Sequence, residues 1–401
     1  MVNRFLRTAP TRRLLATLAG VAVAIGGGAA IAVAATGGGP VPKPEPLAAA
    51  IRGALTAKPV KGISADINFT NNLFPSFEIQ GSDPLLTGGS GHIWVSNDGR
   101  LRLELYGDNG DPEVVLTHSS WRIYDPTLNS VYEGKLPQSR PSSHKPGKAE
   151  APPSLSQIQT ELNRLATHLQ ISGAIPTDVG GQPAFTVEMS PKSSAGLIGQ
   201  LQVAWDALKG VPLRFAVYAR GDSTPALQIA ASGVSYGTIA ASVFDLQPPS
   251  GAHVVTVAMP AGSGKASSNH ADVTGVNAVA RHLSFKLAAP RQLAGLQRRS
   301  VSLLDMGPHH GALVLYGKGL GTVAVIEEPA TQGSQKQLSL SSGSGEHASG
   351  IMLPTVSIHG ASAQQLDTAL GTIVRFSSGG VSYTVAGSVR PDVADAVARG
   401  L

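Results

Sequence analysis

His92–Leu105 reads HIWVSNDGRLRLEL. Asn97-Asp98-Gly99 is a short turn signal, and beyond it Leu101, Leu103 and Leu105 alternate with Arg100, Arg102 and Glu104. Period-two alternation is the pattern of a strand with one face in a core, and an Asx-Gly turn between two such runs predicts a β-hairpin. Working outward, Ile63, Ala65, Ile67 and Phe69 alternate with polar neighbours on one side. On the other, Val114–Leu116 and Trp121–Tyr124 continue the meander across a turn at His118-Ser119-Ser120. Composition agrees with sheets and turns: 47 of 401 residues are glycine, and charged residues make up only 14% against the usual quarter.

Helical periods are rarer. Leu47, Ile51 and Leu55 fall on one helical face. Gln138–Pro153 is a polar, Pro-rich loop, long for a connection inside a domain. Ser154 with Gln157 forms a capping box opening a helix whose stripe is Leu155, Ile158, Leu162, Leu165 and Leu169. A second set of strands is expected at Ala184–Met189, Leu201–Trp205, Leu213–Tyr218, Ala226–Ile229 and Val243–Leu246, closed by Pro248-Pro249-Ser250-Gly251. Ala258–Thr274 has a linker's composition. Beyond it, strands are expected at Ser284–Leu287, Ser300–Leu304, Gly311–Tyr316, Thr322–Ile326, Thr372–Phe376 and Ser382–Ala386, with Ser/Gly-rich Gln332–Gly350 between them. Ser362 with Gln365 reads as a second capping box, for a helix carrying Leu366 and Leu370, and Asp392–Leu401 as a terminal helix. The fold class is therefore mainly β (α+β), with a second, smaller α+β domain. The expected divisions are 1–36, a basic tip with an anchor or signal; 37–46, a Pro/Gly spacer; 47–256, the main body; 257–280, a linker; and 281–401, the small domain.

Leu14–Ala35 (LLATLAGVAVAIGGGAAIAVAA) carries no charge and is long enough to span a bilayer at roughly 20 apolar residues. Arg4, Arg7, Arg12 and Arg13 precede it, which puts the body outside the cytoplasmic membrane. A retained anchor and a cleaved signal peptide are the two alternatives, the latter suggested by Ala32-Val33-Ala34 and Val33-Ala34-Ala35. The protein is accordingly expected in the cell membrane with an extracytoplasmic body, or secreted or periplasmic if cleaved. The net charge of +5 owes four units to those arginines, so the basic balance does not point to nucleic acid. Without a single cysteine the chain has no disulfide, thiolate metal site or cysteine nucleophile.

Signatures of chemistry are sparse. Gly262-Ser263-Gly264-Lys265 departs from a phosphate loop, because Met259 stands at the first glycine position and Ala266 at the hydroxyl position. GGSGH at Gly88–His92 and GSGEH at Gly343–His347 do not fit a nucleophile elbow. His309-His310 is an isolated pair, and neither a metal site nor a cofactor is expected. Asp66, Asp98, Asp125 and Asp206 are read as solvated or capping residues, and no enzyme is expected. The apolar residues of the strands remain: Trp94, Leu103, Leu105, Trp121, Ile123, Phe185, Val187, Phe215 and Val217, with Ile158 and Leu162 on the helix. One reading makes them an ordinary sheet-on-helix core. The other makes them the lining of a cavity for an apolar guest beneath a helical lid.

The order of features adds to this. Trp121–Lys135 (WRIYDPTLNSVYEGK), Gly180–Pro191 (GGQPAFTVEMSP), Trp205–Tyr218 (WDALKGVPLRFAVY) and Val243–Val254 (VFDLQPPSGAHV) follow one another in that order along the chain. Over about residues 47–256 the chain resembles the LolA/RseB-like outer membrane lipoprotein carrier superfamily, most nearly its sigma-E regulatory type. The C-terminal stretch Leu370–Val389 (LGTIVRFSSGGVSYTVAGSV) resembles a small accessory domain of envelope and anti-sigma-associated proteins. The resemblance implies an eleven-strand, half-open antiparallel β-barrel with a helical lid. It also implies non-enzymatic binding of acyl chains or lipoproteins, in transport or envelope-stress sensing. The alternative it carries is a regulatory module that binds an anti-sigma factor or other membrane partner. The missing lipidation cysteine and the possible anchor depart from the family pattern and favour a fixed sensor or acceptor.

Overall fold

The computed structural model describes residues 39–74, 84–136, 152–247, 249–256, 273–305, 309–330 and 354–401. The membrane-spanning reading of Leu14–Ala35, the loop Gln138–Pro153 up to residue 151, most of the 257–280 linker and Gln332–Gly350 lie outside them. No helix among the described residues is long and apolar enough to cross a membrane. Residues within 39–72, 84–194 and 198–256 form one compact unit; those within 273–401, with 73–74 and 195–197, form another. Both are mainly β.

The first unit opens with α1 (Leu47–Thr56) and continues into a meander: β1 (Gly62–Asn71), β2 (Gly88–Ser96), β3 (Leu101–Leu105), β4 (Glu113–Leu116), β5 (Ser120–Asp125) and β6 (Ser130–Lys135). Helix α2 (Leu155–Leu165) leads into β7 (Leu169–Ile171), β8 (Ile175–Val179), β9 (Gln182–Pro191), β10 (Ile198–Asp206), β11 (Pro212–Ala219), β12 (Pro225–Tyr236) and β13 (His253–Thr256). These thirteen strands make one sheet in the order β13-β6-β5-β4-β3-β2-β1-β12-β11-β10-β9-β7, with β8 also on β9. That is two strands more than the resemblance implied. Every pairing is antiparallel except β13 on β6. The ends of the strand path do not pair, so the barrel is half-open. The sheet curls enough for Val179 and Ala184 to share a core with Ile63, Ala65 and Val95. The hairpin β2–β3 forms where its sequence signal lies. Gly99 takes φ +91° in the turn, a conformation that costs a side-chain-bearing residue energy. Ser96 hydrogen-bonds Asp98, and that bond, with those of Arg100, holds the Asp98 carboxyl down at about 2.

Helix α2 has the expected capping box: Ser154 Oγ accepts from Gln157 N–H at 3.3 Å, and Gln157 Oε1 accepts from Ser154 N–H at 2.8 Å. It stops at Leu165, short of the expected Leu169. The Thr167 hydroxyl donates to Arg164 O at 2.7 Å and Lys192 Nζ to Ala166 O at 2.6 Å. With its last carbonyls satisfied, the chain leaves the helix and Leu169 pairs with Pro191 as part of a strand. Val243–Leu246, expected as a strand, begins as a 3₁₀ turn, Ala241–Phe244. Phe244 and Leu246 pack there on Val115.

The second unit contains α3 (Val276–Ala280) and an eight-stranded sheet. Its strands are β14 (Gln292–Leu293), β15 (Leu296–Asp305), β16 (His310–Tyr316), β17 (Val323–Pro329), β18 (Thr355–Ile358), β19 (Ala361–Thr368), β20 (Gly371–Ser378) and β21 (Val381–Gly387). The order is β14-β15-β16-β17-β21-β20-β19-β18. Helix α4 (Pro391–Ala398) buries Ala394, Val397 and Ala398 in the core formed by Val314, Val325, Val374 and Val385. Two expectations fail. Ser284–Leu287 forms no strand. Ser362–Leu370 is not a helix: residues 361–368 are β19, in which Ala363 and Gln365 are buried and alternate with less buried neighbours. The Ser-x-x-Gln spacing satisfies a capping box on paper, but the alternation across a hairpin with β20 decides the structure.

Candidate functional site

The six-strand meander is paired without a register shift, so rows of residues can be followed across it. One row runs Ala65, Ile93, Leu103, Val114, Ile123 and Tyr132. The next runs Ile63, Val95, Leu101, Leu116, Trp121 and Gly134. Both lie on one face because their members alternate with the row between them. Burial falls along the face. Ile63, Ala65 and Val95 are buried, whereas Leu101, Leu103, Val114, Leu116, Trp121, Ile123 and Tyr132 are only half-buried. Leu105, on the same face, is completely buried. A Cβ on Gly134 would lie 2.6 Å from Trp121 Nε1, so the indole is laid flat across the glycine of the neighbouring strand. The outcome is an apolar surface on β3–β6 that the described residues leave incompletely covered.

Of the eleven predicted lining residues, Leu103, Leu105, Trp121 and Ile123 come together here. Trp94 does not: it belongs to the intervening row Ser64, Trp94, Arg102, Val115, Arg122 and Glu133, on the reverse face. There Arg102 lies 5.5 Å from the Trp94 ring and 3.0 Å from carboxylate oxygens of Glu104 and Glu113. Arg102 donates to Val243 O and Arg122 to Leu246 O, both at 3.2 Å. These arginines thus hold the segment that carries Phe244 and Leu246 across the reverse face. Burial raises the pKa of Glu113, with Arg102 opposing the shift. Phe185 and Val187 pack with Trp205 against Ala50 of α1, and Phe215 and Val217 are buried in β11. Ile158 is buried and Leu162 half-buried on α2, which packs against α1 and leaves Leu155 and Leu165 exposed.

The reverse face also carries a hydrogen-bonded relay absent from the sequence reading. Ser64 Oγ is 2.7 Å from His92 Nε2, and His92 Nδ1 is 2.7 Å from Asp66 Oδ1. In the tautomer that satisfies both, Nε2 accepts the serine proton and Nδ1–H donates to the carboxylate. The Trp94 ring lies 4.2 Å from the imidazole, centroid to centroid. Spacing gave no hint, because Ser64 and Asp66 sit on β1 and His92 on β2. The signal lies in the register, which sets His92 opposite Asp66. The order Ser–His–Asp is that of a nucleophile, base and orienting acid, but acyl transfer also needs donors aimed at the developing oxyanion. Here β1 is paired on both sides, to β2 and β12, so the N–H groups around Ser64 are spent on the ladder. The Asp66 side chain is 66% exposed, and water competes for its charge. Among the described residues, no three His, Asp or Glu side chains cluster as metal ligands would.

No family model and no curated protein matches the chain. It is similar to a number of solved structures. It is similar to MucB in complex with MucA(peri), at 15% identity and a TM-score of 0.40, covering 88% of this chain and 94% of that one. It is similar to the MucA/MucB complex of Pseudomonas aeruginosa, at 16% identity and a TM-score of 0.39, over the same shares. A putative outer membrane lipoprotein-sorting protein domain from Vibrio parahaemolyticus matches at 14% identity and a TM-score of 0.18, covering 49% of this chain and 94% of that one.

Proposed function

We propose that this is a non-enzymatic extracytoplasmic envelope protein that binds lipid acyl chains or lipoproteins on the apolar face of β3–β6, in transport or in envelope-stress sensing. The half-buried rows Leu103–Val114–Ile123–Tyr132 and Leu101–Leu116–Trp121 carry the reading. A contiguous apolar sheet face gains free energy, at about 25 cal/mol per Å² removed from water, when a hydrocarbon chain covers it. Leu14–Ala35 would keep the unit near its lipid source. The reading without catalysis is supported by the pairing of β1 on both sides, which engages the backbone N–H groups around Ser64, and labelling of Ser64 by a fluorophosphonate would overturn that part.

The test is uptake of a fluorescent fatty acid by the full chain, with mass spectrometry of co-purifying lipid. Ile123→Asp puts a charge on the half-buried face and is expected to weaken uptake about tenfold or more while the unit stays folded. Phe215→Asp, at a 6% exposed site, is expected to unfold the unit instead. Absence of both co-purified lipid and uptake would sink the proposal.

A second reading makes the C-terminal unit a regulatory module for an anti-sigma factor or other membrane partner. It is favoured by β18, the last strand in the described order of its sheet, whose outer edge can accept an extended segment. A pull-down with the full chain that recovers no membrane partner would count against it.

A further inference from the structure

Where α1 ends, the chain turns through Lys58 and Lys61 into β1. These lysines, with Leu208, Lys209 and Tyr236, wall a pocket of about 360 Å³. All three lysines are exposed, and among the described residues none forms an ion pair with a carboxylate. The nearby carboxylate, Asp206, is already engaged. It is 1% exposed; Oδ1 accepts from Leu208 N–H at 2.7 Å and Lys209 N–H at 2.8 Å, and Oδ2 accepts from the Tyr236 hydroxyl at 2.5 Å. The buried carboxyl group therefore shapes the turn and is not offered to the lysines of the rim. Lys209 Nζ lies 5.7 Å from the Tyr236 ring centroid. Leu208, at the tip of the same turn, is 72% exposed, more than any other large hydrophobic residue described.

We propose that this corner of the first unit docks on an anionic phospholipid surface. Leu208 enters the boundary between headgroups and acyl chains, and Lys58, Lys61 and Lys209 meet the lipid phosphates. A protruding leucine ringed by lysines is the chemistry of interfacial attachment, in which apolar insertion and charge attraction add. Three uncompensated cations at one rim supply the charge complementarity. Each lysine near such a surface is worth about fivefold in partitioning, so the three together contribute on the order of a hundredfold. The site is separate from the apolar face of β3–β6, and either can fail without the other.

The chain has no cysteine, so Leu208→Cys accepts a single environment-sensitive dye. The full chain carrying this label is mixed with nanodiscs of phosphatidylcholine, or of phosphatidylcholine with phosphatidylglycerol. The expected result is a blue-shifted, brighter label with the anionic discs only. The shift should be abolished by high salt and by Lys58→Glu/Lys61→Glu/Lys209→Glu, while a label at Leu155→Cys on α2 stays unchanged. Because the lysines are exposed, the charge reversal should leave the unit folded, and the salt titration of the unreversed chain tests the same point independently. A label equally wet on both discs overturns the proposal, as does a shift that survives charge reversal. A response to polyglutamate without one to anionic discs also overturns it, in favour of an acidic protein partner.

Discussion

Glu327 of β17 has no exposed surface, and only one of its oxygens is satisfied: Oε2 accepts from Ala288 N–H at 2.8 Å, while Oε1 has no partner among the described residues. Burial raises its pKa from 4.5 to about 7, with the Ala288 bond opposing. The folded state then holds a proton that the unfolded chain has released between those values. Stability of the C-terminal unit should be highest below about pH 4.5 and fall as pH rises to about 7. At the top of that window the loss is on the order of 3 kcal/mol. Glu327→Gln keeps the acceptor and removes the ionisation. Its thermal unfolding should match the parent at pH 5, exceed it at pH 8 and lose most of the pH slope; an unchanged slope would refute the assignment.

At the scale of elements, Trp121 and Gly134 on β5 and β6 form a unit in which the missing side chain makes the bed for the ring. Gly134→Val should lift the indole and change the Trp121 emission while the strands remain paired, since valine suits a strand. An emission spectrum that does not move would show that the ring does not rest there. Such pairings explain what the sequence made legible. The hairpin β2–β3 is written in the Asn-Asp-Gly turn, and the same alternation that placed Leu101, Leu103 and Leu105 on one face also assigns Ile93 and Val95 to it. Trp94 is apolar and on the same strand, but it alternates with Ile93 and Val95 and sits opposite Arg102, which places it on the reverse face. The Ser64–His92–Asp66 relay was illegible because a register, absent from any local spacing, brings its members together. Residues 361–368 misled for the opposite reason: a local helix-start signal was present, and the strand pairing overrode it.

For the whole molecule, the half-buried face and the buried cores predict different responses to a ligand. A ligand that binds only the folded first unit stabilises it by about 2.7 kcal/mol at a hundred times its dissociation constant. Calorimetry of the full chain with a saturating long-chain fatty acid should therefore raise the unfolding temperature of the first unit and leave the second in place. The increment should vanish in Ile123→Asp. Equal shifts in both units would place the ligand elsewhere. One earlier feature bears on how the first unit responds to tension. β13 is joined to the sheet edge by four residue pairs, the one parallel pairing among the described residues of the sheet, and three of its four residues are exposed. A pull along β13 would load those pairs together in shear, whereas a pull away from the sheet would break them one after another. A pull away from the sheet is therefore expected to release β13 before the antiparallel strands that carry the core.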